Sequence, residues 1–188
     1  MTAMSRNVGR HLTKFRRDQR GAVLVEMTIV APLMLLLSAG VFEFGNLIHD
    51  KLLMEAGLTD AARFGARCNS QLYTDYASSG FSAIDCTNVA KNIAVYGTPA
   101  PTVVNGVVTT SPRVGGWQTA NVTVTIGASG SCHDAVVAGV TQYRSVTPQV
   151  CIVSATGTYP YSGVGMLAFL NIGPITLSGS HQERLIRF

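Results

Sequence analysis

An apolar run of 27 residues, from Ala22 to Ile48, constrains this chain more than any other feature. With a rise of about 1.5 Å per residue, a helix of that length measures about 40 Å, which exceeds the roughly 30 Å hydrocarbon core of a bilayer. The apolar region of a secretory signal has only about 7–15 residues. Residues 27–42 carry no charge. The run therefore predicts a membrane-spanning helix over residues 22–48, with a buried core helix as the alternative.

Charge is distributed unevenly on the two sides of this run. The residues before Gly21 include six basic side chains and one acidic side chain, whereas the rest of the chain has eight basic and nine acidic. The pI of about 9.0 is therefore a property of the N-terminal segment. Because positive flanks stay in the cytoplasm, we expect a cytoplasmic N-terminus and a body beyond the membrane. The basic residues are not spread over a folded face, so we expect no nucleic-acid partner.

Glu26 is the unusual residue of the apolar run. A carboxylate at the centre of a membrane helix costs roughly 2.5–3.5 kcal/mol, and such residues are usually functional. Glu26 lies one helical turn from the start of the run, so its side chain could simply reach the headgroups. Its spacing favours a function, because Gly21 is followed by AVLVE, which places Glu26 fifth after the glycine.

A short basic leader, a glycine and a glutamate at the fifth apolar position resemble the processing site of prepilins. In that family a membrane peptidase cuts after the glycine, which implies a leader of residues 1–21 and cleavage between Gly21 and Ala22. The resemblance implies that Glu26 of the same or an adjacent subunit can pair with the new terminal amine and offset its desolvation. Ordinary type IV pilins begin with Phe where this chain has Ala22.

Further motifs narrow the resemblance to TadE-like proteins, which are minor pilins or pseudopilins of the tight-adherence (Flp) pilus. Besides Gly21 and Glu26, the chain has Pro32, GVFEFG at residues 40–45 and AARFGAR at residues 61–67. The resemblance covers residues 20–67, with a looser likeness near Tyr159 and Glu183.

This resemblance implies a pilin-like α+β fold and a part in priming, capping or joining a pilus. The implied partners are the prepilin peptidase, the other major and minor pilins and the assembly platform. The implied location is the inner membrane, with one span and a periplasmic head, or the extracellular pilus itself. Neither enzymatic activity nor a cofactor is expected.

Two further residues of the run are candidates for contacts between subunits. Pro32 removes a helical hydrogen bond to the carbonyl of Thr28, and a Thr hydroxyl can compensate for such a loss. Pro32 marks either a passive kink or a place where the helix opens in a filament. Glu43 lies about 100° around the helix from Glu26, so the two acids are not a catalytic pair. We expect Glu43 at the outer interface or paired with a neighbouring subunit.

Residues 49–67 continue the helix beyond the membrane. Gly57, Ala61 and Gly65 recur every four residues and form a ridge of small side chains, which permits close approach of another backbone. The ridge predicts either a contact between subunits or packing on the protein's own sheet, and we prefer the second.

Residues 68–188 are expected to form the α/β head. Residues 69–82 have the composition of a loop, and residues 84–96 show helical spacing before Gly97. Asn105-Gly106 between valine pairs predicts a hairpin over residues 102–109. Residues 121–126, 149–161 and 174–185 are predicted strands, which gives an antiparallel sheet of about four strands packed on the long helix. Residues 128–143 are an insertion, within which residues 135–140 favour a helical turn or two.

The four cysteines all follow the apolar run, where the topology predicts an oxidising compartment. Two disulfides allow three pairings, of which we prefer the neighbours in sequence, Cys68–Cys86 and Cys132–Cys151. Zinc is the alternative, because Cys132 is followed by His133 and Asp134. The chain has no CxxC pair and no histidines at i,i+4, so we expect no metal.

An adhesin is the alternative function, either membrane-anchored or at a pilus tip, with the insertion in contact with a surface or receptor. Aromatic side chains could be its exposed contacts, although core packing is their commoner role: Trp117, Tyr143, Tyr159 and Tyr161. The sequence contains no GxSxG, HExxH or P-loop motif, so it gives an envelope enzyme no support.

Overall fold

The computed structural model describes residues 19–68, 85–126, 131–142, 149–161, 163 and 173–186. It divides the chain into two compact units, residues 1–45 and 46–188. The helices are α1 (Gln19–Arg67) and α2 (Cys86–Tyr96), with a short 3-10 helix at Thr119–Asn121. The strands are β1 (Val103–Val104), β2 (Val107–Val108), β3 (Val122–Thr125), β4 (Cys132–Asp134), β5 (Val136–Val137), β6 (Val140–Thr141), β7 (Gln149–Tyr161) and β8 (Ile175–Arg184).

Within the first unit, α1 is an exposed apolar helix. Its large apolar side chains between Val23 and Phe44 are 45–73% exposed. The helix is long and apolar enough to cross a membrane, with a mean hydropathy of 2.0. Helix α1 continues without interruption through Pro32. The Thr28 hydroxyl donates a hydrogen bond of 2.7 Å to the carbonyl of Leu24, one turn earlier.

In the second unit, α1 buries one face in the core of the head. Met54, Leu58, Ala61 and Ala62 have no exposed surface, and they recur at the spacing of one helical face. Helix α2 packs beside α1, with Ala90 and Ala94 buried. Asp85 caps α2 by accepting a hydrogen bond of 3.0 Å from the backbone N–H of Asn88.

Four antiparallel strands form the sheet, and β7 is the strand to which the other three pair. Strand β3 pairs with β7 from Val122 opposite Gly157 to Thr125 opposite Ser154. Strand β4 pairs with the first residues of β7, and β8 pairs along residues 152–161. The sequence-predicted strands and the α+β class are confirmed.

One face of the sheet is buried and the other is exposed. On β7 the buried positions alternate: Val153, Ala155, Gly157, Tyr159 and Tyr161. Gly157 lies opposite Gly179 of β8. A Cβ added to either glycine would meet a Leu58 methyl at 3.1 Å, so this glycine pair makes room for α1 on the sheet.

The aromatic residues proposed as exposed contacts belong to the core instead. Trp117 is 1% exposed, and its indole N–H donates to the carbonyl of Thr158 at 3.1 Å. Tyr159 is 4% exposed, and its hydroxyl donates to the carbonyl of Gly115 at 2.8 Å. Tyr161 is also buried. These rings are amphipathic, and the fold buries the ring and satisfies the polar atom. Tyr143 lies outside the described residues.

Two valine-rich hairpins form two-stranded sheets of their own. The β1–β2 hairpin turns at Asn105-Gly106, as the sequence predicted. The β5–β6 hairpin turns at Ala138-Gly139, where the sequence favoured a helical turn instead. That prediction was wrong because both turn residues adopt positive φ, 50° at Ala138 and 79° at Gly139, which joins two β-branched pairs as a hairpin.

The preferred disulfide pairing is confirmed. Cys68–Cys86 joins the end of α1 to the start of α2. Cys132–Cys151 joins β4 to β7 at directly opposite positions of the ladder. The predicted loop at residues 69–82 and the first part of the insertion, residues 128–130, fall outside the described residues.

Candidate processing and assembly site

Gly21 and Glu26 both lie on α1, in its exposed apolar part. A Cβ at Gly21 would meet nothing within 4 Å, so no packing contact among the described residues requires this glycine. Ala22 and Glu26 are four residues apart on α1, which is about one helical turn of 5.4 Å. A new amine at Ala22 would therefore lie about one turn from this carboxylate.

The surroundings of Glu26 are apolar on every side of the helix. Leu24, Val25 and Met27 are 69%, 62% and 61% exposed, and Glu26 is exposed as well. A lipid tail or another helix that covers this surface also covers the carboxylate. An uncompensated buried charge is strongly unfavourable, so burial of Glu26 requires a cation or hydrogen-bond donors beside it.

Glu43 differs from Glu26 in its environment. Its side chain is 3% exposed, and it is engaged in a polar or electrostatic interaction. Its expected place, at the outer interface of the membrane or beside a neighbouring subunit, stays a prediction.

The ridge of small residues on α1 packs inside the head. A Cβ at Gly57 would lie 2.3 Å from the carbonyl oxygen of Ala94, and a Cβ at Gly65 would lie 3.0 Å from Val153. Ala61 has no exposed surface. These contacts agree with the interpretation in which the ridge packs within the protein's own head. A subunit contact through these three positions would require α1 to leave its own head.

A polar cluster joins β8 to α1 on the side of the head. The Glu183 carboxylate lies 3.2 Å from Nε2 of His181 and 3.4 Å from Nε of Arg63. The hydrogen bond from His181, followed by that from Arg63, lowers the pKa of Glu183 against the opposing effect of desolvation. After the end of β8, the backbone N–H of Ile186 donates a hydrogen bond of 2.9 Å to the carbonyl of Ala66 on α1.

The candidate zinc ligands do not form a metal site. The Cys132 sulfur is bonded to Cys151, so no thiolate is available beside His133 and Asp134. Across the described part of the chain, no group of three His, Cys, Asp or Glu side chains has the geometry to hold a metal ion.

Sequence reasoning missed the outer face of the sheet. Hydroxyl side chains occupy alternate positions on three strands: Thr123 and Thr125 on β3, Ser154, Thr156 and Thr158 on β7, and Thr176, Ser178 and Ser180 on β8. The period of two is visible in the sequence, where it predicts the strands but not a shared surface. Its meaning depends on the register that aligns the three strands.

Comparison with known proteins finds a match to one family model. Residues 21–67 match the family model described as TadE-like protein, which is about a quarter of the chain. Neither a curated protein nor a solved structure matches the chain significantly. The matched segment begins at Gly21 and ends with α1, so it contains the glycine, Glu26 and the whole helix after them. Over residues 21–67 the chain thus resembles TadE-like proteins, in agreement with the processing motif and the apolar helix.

Proposed function

We propose that the protein is a minor pilin or pseudopilin that takes part in assembly of a tight-adherence pilus after removal of residues 1–21. One observation carries the proposal: Ala22 and Glu26 share one face of an exposed apolar helix within the TadE-like segment. This arrangement supports both steps, because cleavage creates the amine and the glutamate neutralises it. The role is structural, without cofactor or catalysis.

The partners follow from the same arrangement. The prepilin peptidase acts between Gly21 and Ala22 at the membrane, and the exposed apolar surface of α1 then packs among the helices of other pilins or stays in the bilayer. An inner-membrane location with the N-terminus in the cytoplasm agrees with the basic residues before Gly21. The head, stabilised by two disulfides, belongs in the oxidising periplasm or outside the cell.

The proposal is tested by three strains that express single variants. Gly21→Ala should leave the leader attached, because the added methyl obstructs the peptidase. Glu26→Ala should permit cleavage but reduce piliation, because the new amine then enters an apolar surface without a partner. Val25→Ala, the matched control one residue away, should be cleaved and assembled normally.

The readouts are the mass of the membrane-bound chain and the yield of sheared pili. Normal piliation in the Glu26→Ala strain would contradict the pairing role. Normal cleavage of the Gly21→Ala chain would contradict processing at this site.

A further inference from the structure

The exposed face of the head's sheet carries an ordered array of hydroxyl groups. Thr123 of β3 lies opposite Thr156 of β7, and Thr156 lies opposite Ser180 of β8. One step along the sheet, Thr158 lies opposite Ser178. Neighbouring strands are about 4.8 Å apart and same-face residues about 6.8 Å apart along a strand, which sets the spacing of the hydroxyls. The strand register therefore fixes a two-dimensional array.

This array is the floor of a groove of about 620 Å³, a size typical of ligand sites. Ala120 and Asn121 line the groove on the β3 side, and Lys51 and Glu55 of α1 line it on the β8 side. Lys51 donates a hydrogen bond to the carbonyl of Ser178 and forms an ion pair of 2.9 Å with Glu55. The wall is thus held by contacts between α1 and β8, within the head.

The hydroxyls of the floor are available to a ligand. All five side chains are exposed. In the described residues, the one internal bond that any of them donates is from Thr156 to the carbonyl of Thr123, at 3.5 Å. Each Ser or Thr hydroxyl supplies one donor and two acceptor positions, so the floor can bind groups that both donate and accept.

The composition of this face differs from that of an ordinary solvated sheet face. A protein surface designed for solubility carries about 25–35% charged residues. On the outward positions of residues 123–125, 154–160 and 176–184, Arg184 is the one charged residue. Ser and Thr hydroxyls on such a face supply adaptable hydrogen bonding to a ligand.

Charge and polarity identify the ligand class. The groove is lined by one cation and one anion, which already neutralise each other at 2.9 Å, so it attracts neither phosphate nor a polycation. Its lining has no large apolar side chain that would hold a lipid or an apolar peptide. A neutral chain of sugars matches it, because successive sugar rings present hydroxyls that both donate and accept at a comparable spacing.

We propose that the groove binds an uncharged oligosaccharide, of the kind displayed on cell surfaces, across Thr123, Thr156 and Ser180. The binding is a property of the head of a single chain and does not depend on cleavage or on pilus assembly. It goes beyond the assembly role and assigns the head a ligand.

The test uses the full chain in phospholipid nanodiscs, because detergents with sugar headgroups would compete. Linear hexasaccharides of glucose, mannose, galactose and N-acetylglucosamine are titrated by calorimetry, with a heparin hexasaccharide as the charged comparator. At least one neutral hexasaccharide should bind saturably with a Kd below about 10 mM, the weak end of measurable affinity.

Two triple variants then locate the site. Thr123→Val, Thr156→Val and Ser180→Ala together remove three hydroxyls from the floor, while Val preserves the preference for strand. We expect a loss of affinity of about tenfold or more, because each neutral hydrogen bond contributes modestly. The control removes three hydroxyls of the same face outside the groove: Thr125→Val, Ser154→Ala and Thr176→Val. Its affinity should stay within about twofold of the wild type.

A second measurement needs no variant and therefore no assumption about folding. Hydrogen exchange of the wild-type chain should be slower with the bound hexasaccharide than without it at residues 156–158 and 178–180, and it should remain unchanged at the valine hairpins.

The proposal is overturned if no neutral hexasaccharide binds, if both triple variants lose affinity equally, or if only heparin binds and salt abolishes that binding. Failure of this test leaves processing at Gly21 unaffected, because that is measured on a different part of the chain.

Discussion

Among the described glycines of α1, Gly57 is the one at which an added Cβ would lie nearest to another backbone. A Cβ there would lie 2.3 Å from the carbonyl oxygen of Ala94 and 3.2 Å from the ring of Trp117. Neither atom belongs to the flexible end of a side chain. Gly57 therefore sets the separation between α1 and α2, and it does so through the absence of a side chain.

Gly57→Ala should lower the free energy of unfolding by about 1–3 kcal/mol, because the methyl forces the two helices apart. Gly45→Ala is the matched control on the same helix, since a Cβ there meets nothing within 4 Å among the described residues. The control should change the stability by less than about 1 kcal/mol, the scale of helix propensity. Chemical unfolding of both variants in nanodiscs gives the comparison, and equal losses would contradict the close approach.

Glu183 predicts a dependence of stability on pH. Its pKa is lowered in the folded chain by His181 and Arg63, so the unfolded chain binds its proton more readily. The carboxylate therefore stabilises the fold above its unfolded pKa, and this stabilisation is lost as the pH falls through the lowered pKa. Glu183→Gln should be less stable than the wild type at pH 7, and the two should converge in acid. A difference that persists unchanged at acidic pH would contradict the assignment.

At the residue scale, the sequence predicted what depends on neighbours along the chain. Gly21 and Glu26 lie five residues apart, so their relationship on a helix can be read directly. The burial of Glu43 and Trp117 could not be predicted in this way, because it depends on residues distant in sequence. The same holds for Gly157 and Gly179, whose role appears only when β7 and β8 are paired.

At the element scale, turn chemistry decided which predictions succeeded. The Asn105-Gly106 pair correctly predicted its hairpin, because Asn and Gly readily adopt positive φ. Ala138-Gly139 adopts nearly the same angles, with φ of 50° and 79°, but alanine gives no such signal. The β5–β6 hairpin was not predicted because Ala138 prefers a right-handed conformation, which its flanking β-branched pairs overcome.

The two hairpins provide a matched test of this explanation. Ala138→Asn should stabilise the β5–β6 hairpin by about 1 kcal/mol, because Asn tolerates the left-handed conformation that alanine resists. Asn105→Ala should weaken the β1–β2 hairpin by a similar amount. Amide hydrogen exchange at Val140 and Val107 reports the two effects. Changes of the same sign in both hairpins would contradict the account.

The disulfide between α1 and α2 connects two elements across a long stretch of chain. Cys68 and Cys86 are 18 residues apart in sequence, and removal of such a link costs about 3 kcal/mol in the chain-entropy account. The Cys68→Ala, Cys86→Ala double variant should lose about that much stability while Cys132–Cys151 still forms. Thermal unfolding and thiol counting under non-reducing conditions measure both. An unchanged midpoint would show that the link contributes nothing to the fold.

At the scale of the whole molecule, the chain combines two units that differ in how their apolar side chains are covered. Residues 1–45 form a unit whose apolar helix surface is exposed, whereas residues 46–188 enclose a core of their own. The apolar run predicted the long helix of the first unit, but the division at residue 45 differs from the predicted boundaries at residues 48 and 67. The hydroxyl-lined groove could not be predicted, since it requires the register of three strands and the position of Lys51 beside them.

The central claim concerns cleavage after Gly21, and the mass of the intact protein isolated from membranes tests it most directly. The account predicts a chain that begins at Ala22, with all four cysteines oxidised. A mass that corresponds to a start at Met1 or Thr2 would contradict it. The protein would then be an uncleaved membrane anchor that shares the TadE-like helix, and its head would have to account for its function.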